Sequence, residues 1–152
     1  MAFGQEDAAR LVDLLRESDA FIPELSLVAV SGNKPVGHIL FSRIVIVDQD
    51  QNKHASLALA PMSVRPEFQG KGIGGLLVKS GLDKARTLNY KSIIVVGHEQ
   101  YYPKFGLLPA VIWNIKAPLE VPANVFMALE LVTGAFQGVS GTVQYPMEFG
   151  MD

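Results

Sequence analysis

The chain has 152 residues, 49% of them hydrophobic and 18% charged, with 9 prolines, 14 glycines and no cysteine. This length and composition predict one globular domain, 1–152, able to bury about two thirds of its unfolded surface, and they exclude a disordered chain and a disulfide framework. With 13 basic against 15 acidic residues, a formal charge of -2, the chain offers nucleic acid or an anionic membrane no general attraction.

No apolar run approaches the roughly 20 residues that span a bilayer, and the opening Met1-Ala2-Phe3-Gly4-Gln5-Glu6-Asp7 lacks the regions of a signal peptide. The expectation is a soluble cytoplasmic protein. From Gln5 to Ser18 the apolar residues Ala8, Leu11, Val12 and Leu15 recur at helical spacing and predict an amphipathic helix. Leu25 to Val30 is a short apolar run, Ser31 to Pro35 is turn chemistry, and Val36 to Val47 is a long β-branched run, which together predict a hairpin. A polar loop, Asp48 to His54, follows. Ser56 to Val64 is a third strand, interrupted at Pro61, which donates no ladder hydrogen bond and therefore predicts a bulge or a strand that parts from its neighbour.

Arg65 to Gly75 is a glycine-rich loop, followed by a helical stripe from Leu76 to Leu88 that includes the small residues Ser80, Gly81 and Ala85. Ser92 to Val96 is a buried strand ended by Gly97. Strand, loop, helix and strand make a crossover unit with parallel strands. Gln100 to Phe105 reads as one helical turn, Ala110 to Ile115 and Phe126 to Leu131 as strands, and 134–152 as a closing tail with a strand at Thr142 to Tyr145.

The glycine loop is the most informative segment. The first amides of a helix have no partner within it, and the helix dipole adds about half a positive charge there. Gly70, Gly72, Gly74 and Gly75 remove side chains that would keep a phosphate from those amides, while Arg65 and Lys71 supply local charge. A Walker loop is excluded because Gly70-Lys71 is followed by Gly72 and not by Ser or Thr. Glycines at 70, 72 and 75 match the dinucleotide fingerprint, but Asp83 is too close to be the ribose-binding acid and the lead-in is longer than the tight dinucleotide turn.

Gln69-Gly70-Lys71-Gly72-Ile73-Gly74 resembles the Q/R-x-x-G-x-G/A signature of the GNAT superfamily of acyl-CoA-dependent N-acyltransferases, and Tyr102-Pro103-Lys104-Phe105-Gly106 matches the family's second motif, a Tyr four residues before Gly. The segments 36–42, 97–103 and 126–131 are similar to a bacterial subgroup of predicted acetyltransferases typified by YhbS. The resemblance implies an α/β fold in three layers, with a mixed, largely antiparallel twisted sheet, a βαβ crossover and helices on both faces. It also implies that this chain lacks the family's first strand and helix. That would leave Leu25 to Val30 as a sheet edge able to pair in a homodimer.

The resemblance further implies that acetyl-CoA is the cosubstrate, its pyrophosphate held by the amides of Lys71 to Gly75, with Gln69, Gly70 and Ile73 in the same loop. Its pantetheine arm would lie along Met62, Ser63 and Val64, and the Tyr102 hydroxyl would serve the departing thiolate. The reaction implied is direct attack on the thioester by a primary amine, either a small molecule or a protein amine. Many relatives carry a glutamate base on the strand equivalent to Ser56 to Val64, which here contains no acid, so His38, His98 and Glu99 are the candidate bases. Three histidines without metal-ligand spacing and no cysteine predict no metal site. Two other classes fit the same loop: a non-catalytic acyl-CoA sensor or scaffold of this fold, and a nucleotide-binding module.

Overall fold

The computed structural model describes the backbone of residues 5–150 and the side chains of residues 9–150. The expected first helix is α1, Gln5–Arg16. Leu11, Val12 and Leu15 on one stripe are buried with Ala20 and Leu40, while Arg10, Asp13 and Arg16 stay exposed; the side chain of Ala8 lies outside the described residues. β1 (Phe21–Ser31) and β2 (Lys34–Val47) form the expected hairpin, with β1 starting at Phe21 and not at Leu25. β3 (Lys53–Val64) is antiparallel to β2 along most of its length. A crossover through α2 (Ile73–Thr87) leads to β4 (Ser92–Val96), which is parallel to β3.

The remaining strands are short: β5 (Leu108–Pro109), β6 (Ile115–Lys116), β7 (Phe126–Glu130) and β8 (Gly141–Gln144). The sheet runs β5-β7-β4-β3-β2-β8-β6, and β1 also pairs with β2. β1 lies along the first half of β2, and β8 lies beside Val45, Ile46 and Val47 near its end. Mixed pairing, largely antiparallel, with the one crossover between β3 and β4, agrees with the expected fold class. No helix among the described residues is long and apolar enough to cross a membrane.

One expectation is corrected. Ala110 to Ile115 is not a strand: Ala110–Trp113 is a 3-10 turn, and only Ile115 and Lys116 pair, with β8. The β-branched Val111 and Ile112 are exposed, because Pro109 starts the turn and Asn114, at φ 58, reverses the chain. Turn chemistry outweighs β propensity where no partner strand covers the side chains. The outer edge of β1 is free among the described residues and exposes Val28 and Val30. However, Pro23 and register shifts between Phe21 and Ser26 and between Ala29 and Val30 break its ladder, devices that blunt an edge against pairing.

Side-chain alternation puts Ile39, Phe41, Leu57 and Leu59 against α2, and Ile44, Ile46 and Ala58 on the opposite face with Phe136 and Val143. The small stripe of α2 brings the helix onto the sheet, since a Cβ at Gly81 would clash with the ring edge of the fully buried Phe41, at Cε1 and Cζ. Gly81→Ala therefore opposes two effects: a gain in helix propensity of about 1 kcal/mol and an overpacking cost of about 1–3 kcal/mol. The sealed ring leaves the clash dominant. Urea denaturation should show the variant less stable by about 1–2 kcal/mol; greater stability would mean that helix and sheet stand further apart.

Candidate functional site

The site begins where β3 leaves β4. The two strands pair only at Leu57 with Ile93 and at Ala58 with Ile94. Just beyond, the register of β3 against β2 jumps by one residue between Leu59 and Met62. This is the bulge expected at Pro61, whose missing N–H prevents a continuous ladder. Met62, Ser63 and Val64 keep their partners on β2 but have none on the β4 side. A backbone edge is thus open inside the sheet and not at its rim.

Opposite this edge stands the start of α2. Gly70 and Gly72 adopt φ of 78 and 83, a left-handed conformation that glycine takes without strain, and Gly72 caps the helix with no side-chain hydrogen bond. The first amides of α2 therefore face outward. The Gln69 amide donates to Val64 O at 3.0 Å, tying the loop to the end of β3. After β4 the chain turns through Gly97 into a 3-10 turn, Tyr102–Phe105, in which the Tyr101 and Tyr102 amides both bond to His98 O. Met62, Ser63, Val64, Phe68, Gln69, Gly70, Gly72, Ile73, Gly74, Gly75, His98, Tyr101, Tyr102 and Lys104 enclose a cleft of about 540 Å³.

Most of the residues singled out from sequence therefore meet in one place. Lys71 does not line the cleft; it is exposed, with its ammonium 5.2 Å from the Phe68 ring centroid. Arg65 is also away from the lining, its Nε donating to Pro35 O at 2.9 Å. The cation on the lining is Lys104, 4.0 Å from the Tyr101 ring centroid. Tyr101, Lys104 and Phe68 are the members that sequence reasoning missed, although Tyr101 and Lys104 adjoin the motif tyrosine. Glu99 is exposed and outside the lining. His54, read as a loop residue, lies on β3 and reaches Asp48 at 3.1 Å, which holds that carboxyl below its ordinary range.

Tyr102 is buried against Tyr101, their ring centroids 5.1 Å apart and edge to face. Burial first, and the neighbouring Tyr101 second, push its hydroxyl up to about 12, so it is a protonated donor across the neutral range. It makes no hydrogen bond to a described residue, yet Ser42 Oγ is the only sealed side-chain polar atom without a partner among them, so the Tyr102 hydroxyl keeps a free face. His38 sits one strand away, opposite Ser63. A Cβ at Gly37 would touch Leu77 and Ile73 of α2, so the next side chain, His38, projects from the other face. Its ring bonds Ser26 Oγ at 3.0 Å, and burial, with the charge of Arg16 second, lowers its pKa, leaving it neutral at pH 7. Among the described residues no group of three or more His, Cys, Asp or Glu is arranged to hold a metal ion.

Residues 3–106 match the model of the acetyltransferase (GNAT) family. The chain is 40% identical over 122 residues to the uncharacterized N-acetyltransferase YjhQ of Escherichia coli, covering 80% of this chain and 67% of that protein. It is 28% identical over 149 residues to the uncharacterized N-acetyltransferase YhbS of the same organism, covering 97% of this chain and 86% of that one. The crystal structure of E. coli YhbS in complex with CoA superimposes with a TM-score of 0.88 at 25% identity, over 98% of this chain and 81% of that one. A GNAT-family acetyltransferase from Brucella melitensis in complex with acetyl-CoA gives 0.76 at 28% identity, over 98% and 82%.

Gly97 is a further residue that sequence reasoning used only as a strand terminator, since a Cβ there would press into the Tyr102 ring. Gly97→Ala should lower stability by about 1–3 kcal/mol through that clash. In a double-mutant cycle with Tyr102→Ala most of the cost should vanish, a coupling of about 1 kcal/mol or more. Additive effects in chemical denaturation would show that the glycine does not set the ring position.

Proposed function

The chain belongs to the acetyltransferase (GNAT) family, and from that premise we propose that it transfers an acetyl group from acetyl-CoA to a primary amine by direct attack, in the bacterial cytoplasm, with the whole of 1–152 as one catalytic domain. The observation that carries this reading is the convergence of an open strand edge, a glycine-rich helix start without a side-chain cap and a free tyrosine hydroxyl on one cleft.

The cleft suits the cosubstrate. A Cβ at Gly74 would come 3.1 Å from the Tyr101 hydroxyl, so the space over the helix start exists only because glycine stands there. The amides of Gly72 to Gly75 would hold the pyrophosphate, with Gln69 and Gly70 shaping the loop and Lys71 and Lys104 adding charge from the rim. Met62, Ser63 and Val64 would bond the pantetheine amides as an added strand. The cosubstrate supplies an electrophilic thioester carbonyl and a thiolate leaving group.

Tyr102 donates a hydrogen bond to the departing sulfur. Full transfer from a hydroxyl near 12 to a thiolate near 8.5 is uphill by about 5 kcal/mol, so the hydroxyl acts by stabilising developing charge. An amine with a pKa near 10 must lose a proton before or during attack. Of the three candidates, His38 is the base we favour, because it is neutral at pH 7 and shares a sheet face with Ser63 at the open edge. In the tautomer with Nε2–H donated to Ser26, its Nδ1 is bare and accepts. His98 on the cleft wall and Glu99 outside it are the alternatives.

Acetyl-CoA at 100 times its Kd should stabilise the protein by about 2.7 kcal/mol in thermal melts, whereas ATP and NAD should not. Gly74→Val should abolish that shift. Stabilisation by ATP alone would overturn the acetyltransferase reading in favour of a nucleotide-binding module.

Tyr102→Phe should lower amine-dependent CoA release by about 100-fold or more while keeping the acetyl-CoA shift. Because the His38 pKa is lowered, its basic form persists down through pH 6.5, and activity should fall on the acid side only below that value. His38→Gln should remove this acid limb and His98→Gln should retain it; the reverse result would move the base to His98. Acetyl-CoA binding without CoA release for any amine would favour the sensor.

A further inference from the structure

The parting of β3 and β4 opens to both sides of the sheet. On the side away from α2 lies a second hollow, bounded by Ala58 and Ala60 of β3, Val96 of β4, the loop residues Ala117 and Leu119, and Tyr145 after β8. Ala60 and Met62 flank Pro61 on one strand, so the hollow begins within about 7 Å of the cosubstrate cleft. None of its lining residues is charged, and the Tyr145 hydroxyl is the only polar side-chain group among them. The acidic residues adjoining the lining in the chain, Glu120 beside Leu119 and Glu148 beside Phe149, line separate grooves and not the hollow. A second ammonium group inside the hollow would be desolvated without a partner.

Resting on the acetyltransferase reading above, we propose that this hollow is the acceptor pocket and that the acceptor is a primary amine on a short, uncharged hydrocarbon group. The enclosed space is about 60 Å³, room for about four to six non-hydrogen atoms. The hydrocarbon occupies the hollow while the nitrogen lies at the gap between Ala60 and Val96. There the C–N bond forms and the C–S bond breaks; the amine proton passes to the base, and the thiol leaves through the cleft. Polyamines are excluded by the lack of a carboxylate, and bulky aromatic amines by volume.

The test is acetyl-CoA-dependent CoA release with methylamine, butylamine, isoamylamine, putrescine and spermidine. For the monoamines kcat/KM should rise about four-fold per added methylene until the hollow is filled. Putrescine should fall about ten-fold or more below butylamine, because its second charge must be desolvated. Ala117→Leu fills the hollow without touching the cosubstrate cleft, and should depress isoamylamine about ten-fold or more while leaving methylamine nearly unchanged. Leu119→Glu places a carboxylate at the hollow and should raise putrescine relative to butylamine. A preference for putrescine or spermidine in the unaltered protein, or equal effects of Ala117→Leu on methylamine and isoamylamine, would overturn the pocket while leaving the acetyltransferase reading in place. Absence of an acetyl-CoA thermal shift overturns that reading, and the pocket with it.

Discussion

Leu57 with Ile93 and Ala58 with Ile94 are the only ladder pairs between β3 and β4, preceded by the hydrogen bond between Ser56 Oγ and Ser92 Oγ at 2.7 Å, and the open edge, the cleft and the hollow follow from the brevity of that contact. A parallel pair carried further would bury the edge of Met62 to Val64 in a ladder, leaving neither a cleft toward α2 nor a hollow on the other face. The bulge at Ala60 and Pro61 ends the contact, because proline donates no ladder hydrogen bond and the added residue turns the strand. β2 keeps the parted strand in place, pairing with it on both sides of the bulge. The sheet is therefore opened along one seam without losing its continuity.

The helix start that faces this seam costs stability on its own terms. Glycines at 74, 75 and 81 each lower helix propensity by about 1 kcal/mol relative to alanine. Gly81 offsets this by letting α2 settle on Phe41, which anchors the helix over the face of β2 and β3 that carries Ile39, Leu57 and Leu59. Gly74 and Gly75 have no such packing return, and what they supply is room and exposed amides. This local arrangement is how a chain of net charge -2 would hold the polyanionic cosubstrate proposed for it. For the proposed cosubstrate the attraction would come from oriented backbone groups and Lys104 at close range, with long-range steering playing little part.

Burial acts on the two titratable groups with opposite sign and the same outcome. It pushes the Tyr102 hydroxyl up to about 12 and lowers the His38 imidazole, because in each case the charged form is the one that loses water. At pH 7 one is a neutral donor and the other a neutral acceptor. They stand on different structural supports: Tyr102 is packed by Gly97 and Tyr101 on the α2 side of the seam, and His38 is held by Ser26 on the other face. A neutral donor on one side of an open sheet and a neutral acceptor on the other is the arrangement on which the proposed transfer rests.

The sequence alone determined the hairpin, the crossover, the bulge at Pro61 and the cluster of glycines with Tyr102, because each rests on a local rule: alternation, helical spacing, the missing proline N–H or the left-handed freedom of glycine. It misread Ala110 to Ile115, where β-branched residues promised a strand and Pro109 and Asn114 made a turn, since a strand depends on a partner that local sequence does not reveal. Only the tertiary structure decided which charges reach the cleft. Arg65 is drawn to Pro35 O and Lys71 lies over Phe68, leaving Lys104 on the lining, and such choices depend on what the rest of the fold offers each side chain. The hollow beyond the seam was equally hidden, for it is assembled from β3, β4, the 117–121 loop and the closing residues Tyr145 and Phe149. Those residues are far apart in the chain, and they meet because β8 pairs with the far end of β2.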